Sequence, residues 1–298
     1  MSRKTLPLFV VVCALLWGSA FPGIKYVYSR WDGADTFSVR LVFAGVRFAL
    51  AGLLLLPFSR SPVWGLPRGS LWPLVIIALT QTFGQYLFFY SGLSVSSGVL
   101  ASLLVSTGSL WWVLLAPVML GSPKPGRRQW LLLALSTTGI TIAVYKPGAG
   151  AGDPILGATL FLCASLCGAV ALILFRRLDS AIDPVKATSF ALFTGGIMLL
   201  SAGAAGWSRF IALLDVPTAL MTVYLGAVSA TAFCLWNQLA QLFPVNLLAG
   251  YRFLIPLSGA LMSASLVPGE SIGVGALIGG CMILTSLIFL NRIGKSGQ

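Results

Sequence analysis

The sequence predicts an all-α membrane protein: ten transmembrane helices in two inverted five-helix repeats around a central cavity. Three observations carry this. Apolar residues make up 57% of the 298 and charged residues only 9%, with a mean hydropathy of +0.94. A soluble domain carries about 25% charged residues, which a water-facing surface needs and hydrocarbon does not. The apolar residues gather into ten runs, most of about the 20 residues that a spanning helix requires. The basic residues sit mostly in the short connections between those runs.

The predicted spans are 6–26, 37–58, 71–92, 96–120, 128–145, 155–175, 185–206, 217–241, 246–267 and 272–291. The first follows Arg3 and Lys4 as a signal peptide would. It is longer than such a segment and lacks a closing small-residue cleavage site, so it reads as a retained helix. Pro62 and Pro67, Pro123 and Pro125, Gly148 to Pro154, and Pro268 with Gly269 punctuate the joints. The joints are too short for a separate soluble domain. A β-barrel is excluded because its strands alternate in polarity, whereas Leu131-Leu132-Leu133-Ala134-Leu135 does not.

The 19 Lys and Arg against 7 Asp and Glu give a net charge of +12. With the N-terminus cytoplasmic, twelve basic residues fall in inner loops and tails. Three, Arg30, Lys146 and Arg209, fall in outer loops, and Lys25 falls at a helix end. This is the positive-inside pattern, with both termini expected in the cytoplasm and the chain in the inner membrane of a bacterium. Nucleic acid is not an expected partner, because no basic face is interleaved with exposed aromatics. Cys13, Cys163, Cys167, Cys234 and Cys281 lie in apolar runs with no metal spacing, and there is no His. No metal or other cofactor is expected.

The two halves resemble each other. Cys13-Ala14-Leu15-Leu16-Trp17-Gly18-Ser19 matches Cys163-Ala164-Ser165-Leu166-Cys167-Gly168-Ala169 at an offset of 150. The helix from Ala101 to Gly121 aligns with the helix from Leu248 to Gly269 at nearly the same offset. The expected repeats are 1–147 and 148–298. Five spans per repeat is an odd number, so the second repeat is inverted, an arrangement that places a substrate site where the halves meet.

Several motifs extend the reading. Trp17-Gly18-Ser19-Ala20-Phe21, Arg47-Phe48, Trp236-Asn237, Pro256 and Gly269-Glu270 occur in this order across nearly the whole chain. Together they resemble the drug/metabolite transporter (DMT) superfamily in its EamA branch. The family's fourth helix commonly carries a proline and ends in Gly-Glu, where this chain has Ser109 and Gly121-Ser122. The resemblance implies ten helices in two EamA-like repeats, a central cavity, and export of small metabolites such as amino acids.

Candidate substrate-binding residues are those whose polarity is expensive in hydrocarbon. Arg47, near mid-depth in the second span, and Arg252, in the ninth, each carry a guanidinium fork suited to a carboxylate or phosphate. Arg40 lies near a helix end and is expected to snorkel. Gln81 and Gln85 are four apart on one face of the third span, with Tyr86 and Tyr90 on an adjoining face. Asn237 and Gln241 add amides in the eighth span, and Trp17 and Trp111 add aromatic surface. Gly275 and Gly279 form a GxxxG face, expected to pack within the bundle.

All seven acids read as loop or helix-end residues, so no buried proton relay is expected. No phosphate-binding loop is present. The expected function is alternating-access carriage of a small-molecule substrate by a monomer or homodimer in the lipid bilayer. The alternative is a carrier of phosphorylated or lipid-linked sugars. An intramembrane enzyme would need metal ligands, paired acids or a serine with a base, which the sequence does not supply.

Overall fold

A computed structural model describes residues 5–59, 69–121, 124–145, 152–178, 182–242 and 254–296. Among these residues the chain is helical, with one isolated bridge between Ser96 and Gly152. Seven helices are long and apolar enough to cross a membrane: α1 (Leu6–Trp31), α2 (Phe37–Phe58), α3 (Leu71–Val95), α4 (Gly98–Leu120), α6 (Pro154–Arg176), α7 (Pro184–Ala202) and α8 (Val216–Leu242). Helices α5 (Arg127–Tyr145), α9 (Leu254–Leu266) and α10 (Val274–Ser296) occupy the other three predicted spans. The first turn of α5 is polar, Arg127-Arg128-Gln129, and the α9 span enters the described residues only at Leu254.

Local chemistry sets the helix starts. Thr36, Ser97, Asp153 and Asp183 are N-caps whose side chains accept from Val39, Leu100, Leu156 and Val185 amides. Pro154 and Pro184 stand in the first turn, where a missing N–H is harmless. Helix α1 ends at Asp32 and Gly33, both left-handed.

Four features depart from the sequence reading. Residues 78–84 of α3 form a π-helical turn within the span. Helix α4 breaks at Ser106–Thr107, whose hydroxyls donate to the Leu103 and Leu104 carbonyls. The span predicted to end at 206 ends at Ala202, and a short helix, Trp207–Leu213, lies across the end of α2 with Arg209 Nε donating to the Ala34 carbonyl at 2.5 Å. Lys25, expected at a helix end, lies inside α1 because that helix continues to Trp31.

Helix pairing follows a regular scheme. Helix α2 packs on α7 and α5 on α10; α1 packs on α9 and α4 on α6; α1 packs on α8 and α3 on α6; α2 packs on α8 and α3 on α7. Exchanging the first five helices with the last five leaves this set of pairs unchanged. Glycines permit the tightest crossings. A methyl group at Gly139 of α5 would lie 2.7 Å from the Gly279 carbonyl of α10 and 3.0 Å from Met282, so only hydrogen fits. The GxxxG face therefore packs inside the bundle, as expected. The largest cluster of buried side chains joins α1 to α8, with Phe21, Phe43, Phe48, Tyr90, Phe161 and Phe233 among its members.

Candidate functional site

A cavity of about 120 Å³ opens among α1, α2, α3, α4, α6, α8 and α9. At about 10–15 Å³ of such volume per water it has room for on the order of ten waters, or one small organic molecule. Its walls are mostly apolar, with six aromatic side chains among the lining residues. Trp17 meets Phe233 and Trp236 edge-on with ring centroids 5.4 and 5.5 Å apart, and Phe21, Tyr86 and Phe89 continue the surface.

Polar groups punctuate this lining. Arg47 of α2 is only 1% exposed. Its Nε donates to the Leu225 carbonyl at 3.2 Å and to Ser229 Oγ at 3.0 Å, and its Nη1 donates to the Tyr90 hydroxyl at 2.8 Å. The guanidinium lies 4.8 Å from the Phe48 ring centre and 5.9 Å from that of Tyr86. It makes no ion pair with a described residue. Gln81 stands in the π-helical turn and Gln85 one turn later, and both line the cavity. The Gln85 amide lies over Gly168 of α6, where a methyl group would approach its Oε1 to 2.7 Å. Asn237 Nδ2 donates to Thr188 Oγ1 at 2.9 Å, which fixes the amide between α8 and α7.

Of the ten residues that the sequence nominates, Trp17, Arg47, Gln81, Gln85, Tyr86 and Asn237 line the cavity. Three do not. Tyr90 is fully buried behind Arg47 and braces it. Trp111 stands behind the wall, its indole N–H donating to Ser165 Oγ at 2.8 Å. Gln241 lies one turn beyond Asn237, where α8 leaves the cavity and the side chain is exposed. Arg252 lies outside the described residues. The sequence reading missed Ser102, Ser106 and Ser165. Serines in spanning helices commonly bond their own backbone, as these do to the Val99, Leu103 and Leu162 carbonyls, so their type alone gives no signal.

One turn along α1 from Phe21, and one turn before Ser102 in α4, lies a buried cluster. Glu270, a loop acid by sequence, is 8% exposed. Its carboxylate accepts from the Gly98 amide at 2.9 and 3.0 Å, the Val99 amide at 3.3 Å and Ser263 Oγ at 2.8 Å. Lys25 Nζ lies 3.6 Å from the same carboxylate and donates to the Ser96 carbonyl at 2.5 Å. An anion at the N-terminus of α4 is thus matched by both the helix dipole and a cation. Glu270 lies in a loop, as the sequence reads it, but the loop after α9 folds its carboxylate inward.

The sequence profile of the EamA-like transporter family matches residues 5–145 and again 155–292. The chain belongs to the EamA-like transporter family. As such it is a membrane transporter, in keeping with its apolar helices. It is 28% identical over 289 residues to a Streptantibioticus cattleyicolor protein named "Probable terminal-alkyne amino-acid exporter", covering 95% of this chain and 92% of the relative. It is 23% identical to the Bacillus subtilis transporter YvbV, covering 99% and 94%. It is 26% identical to the Escherichia coli K12 inner membrane transporter YedA, covering 89% and 84%. A solved crystal structure, 18% identical, superposes over the whole of both chains with a TM-score of 0.60, which supports the fold.

Proposed function

We propose that this transporter carries small metabolites such as amino acids out of the cell by alternating access, through the cavity between its two halves. The observation that carries the reading is the cavity itself. Helices α1 to α4 on one side and α6, α8 and α9 on the other surround it, with the buried Arg47 in its wall. An arginine against lipid costs from about 2.5 kcal/mol upward, and a place in a cavity wall beside hydrogen-bond acceptors avoids that cost. The relative named for amino-acid export supports the substrate class.

The architecture proposed is ten spans in two inverted repeats, 1–147 and 148–298, with both termini cytoplasmic. Support comes from helix pairs that survive exchange of the halves, from the doubled family match, and from the basic residues at one set of loops. In this reading the protein moves its solute unchanged. The phosphorylated-sugar alternative is less favoured, because Arg47 is the one cation in the described cavity wall.

Reconstituted vesicles offered a panel of amino acids, sugars, sugar phosphates and nucleosides test the proposal. Transport of amino acids, reduced several-fold by Trp17→Ala and by Asn237→Ala in well-folded protein, is the expected outcome. Transport of sugar phosphates alone, or undiminished transport by both variants, defeats it.

A further inference from the structure

The hydrogen-bond inventory of the cavity is lopsided, and this bears on which part of a solute it recognises. Arg47 is a buried cation with no described counter-ion, and its Nη2 bonds to none of the described residues. Gln81 is 4% exposed, lines the same cavity, and its Nε2 has no hydrogen-bond partner. A buried donor left unpaired is destabilising, and a buried cation without a counter-ion is too, so both groups favour an acceptor that carries negative charge.

Elsewhere in the wall the Gln85 amide carries both a donor and an acceptor, while the serines and Asn237 present acceptors. Ser102 and Ser106 give their hydroxyl hydrogens to their own helix and present only lone pairs. Asn237 gives an amide hydrogen to Thr188 and presents its oxygen. Among the described residues no Asp or Glu lines the cavity, so an ammonium has no carboxylate to meet. Leu172, Phe233, Trp236 and Ile255 supply apolar surface.

We propose that the cavity recognises its solute by a carboxylate, held by Arg47 with Gln81 as a second donor, while the aromatic wall takes an apolar body. The inference rests on the reading of this cavity as the transport site and names the group recognised there. A planar guanidinium matches a carboxylate through two parallel N–H bonds, whereas the amide of Gln81 adds direction without charge. A zwitterion binds through its carboxylate, its ammonium meeting only neutral oxygens. An amine of the same shape finds the Arg47 charge repelling it.

Four probes of one skeleton separate these contributions: 4-methylpentanoate, leucine, 3-methylbutylamine and 4-methylpentanamide, titrated calorimetrically into the purified full chain in lipid nanodiscs. The acid and leucine are expected to bind within tenfold of each other, and the amine and amide at least tenfold more weakly. Arg47 also holds α8 and Tyr90, so its variants can fail to fold; Gln81→Leu is the cleaner change because no bond to Gln81 Nε2 is lost. It is expected to weaken the acid several-fold and leave the amine unchanged.

Binding of the amine or the amide as tightly as the acid overturns the inference, as does unchanged acid binding in Gln81→Leu. If none of the four binds, the carboxylate assignment falls. The transport site itself is judged separately, by whether a thiol reagent attached to Ser106→Cys in a cysteine-free background blocks transport of the solute panel.

Discussion

Replacing Glu270 by alanine is the sharpest test of how the two halves of the bundle are held together. The change deletes a carboxylate that accepts from two backbone amides and Ser263 and faces Lys25 at 3.6 Å. Removing one partner of a buried pair costs about 3–5 kcal/mol. Lys25 retains its bond to the Ser96 carbonyl and is 18% exposed, so it is not fully stranded, which places the expected loss near the lower end of that range. Glu270→Gln keeps an acceptor oxygen and should lose about half as much. In the double variant Lys25→Met, Glu270→Gln the losses should fall short of additive, because the second change removes a charge that the first left unmatched. The assay is unfolding of the purified protein in mixed micelles by increasing SDS, followed by tryptophan fluorescence. A Glu270→Ala protein within about 1 kcal/mol of wild type refutes the reasoning, since it would mean the α4 amides find water or other partners at no net cost.

Four further outcomes are expected. Gly279→Leu places side-chain atoms against the Gly139 backbone, which cannot yield, and should lower stability by about 3 kcal/mol, seen as lost monodisperse yield on size-exclusion chromatography. Gly168→Ala meets only the far end of the Gln85 side chain, so the protein should fold normally while transport falls several-fold; unchanged transport would remove Gln85 from the working wall. Trp111→Phe deletes the indole donor to Ser165 and should cost about 1 kcal/mol in the same SDS assay. Asp215 caps α8 through the Thr218 amide and pairs with Arg30, which holds its carboxyl well below the ordinary 3.8. A group with a depressed folded pKa stabilises in full above its unfolded value and loses that contribution as pH falls further. The stability gap between wild type and Asp215→Asn should therefore be present at pH 6 and shrink below about pH 4.

Much of the fold is legible because hydrocarbon imposes a length on every apolar run, and α6, expected at 155–175, runs from Pro154 to Arg176. Arg47 and the amides Gln81, Gln85 and Asn237 are legible in the candidate site for a related reason: polarity inside such a run needs a partner or a cavity. What periodicity cannot do is count layers. Tyr90 shares a helix face with Tyr86 but lies one residue deeper, behind Arg47, and Trp111 reaches the cavity only through Ser165. Gln241 continues the stripe of Phe233 and Asn237, yet the stripe outlasts the cavity. Glu270 is hidden for a different reason. Its burial depends on the loop after α9 meeting the start of α4 from the opposite half, a contact between residues 172 apart in sequence.

The crossing of α5 and α10 has a consequence for how motion in this molecule can be observed. These two helices touch backbone to backbone at Gly139 and Gly279, and neither contributes a described residue to the cavity wall. Whatever rearrangement admits a solute on one face and releases it on the other, this pair has no side chain at the site to rearrange. Its outward positions, such as Leu131 and Leu277, are 63% and 58% exposed and can carry spectroscopic labels. Two labels placed there are expected to keep a constant separation during transport, a reference against which the displacement of a third label on α1 or α8 can be read.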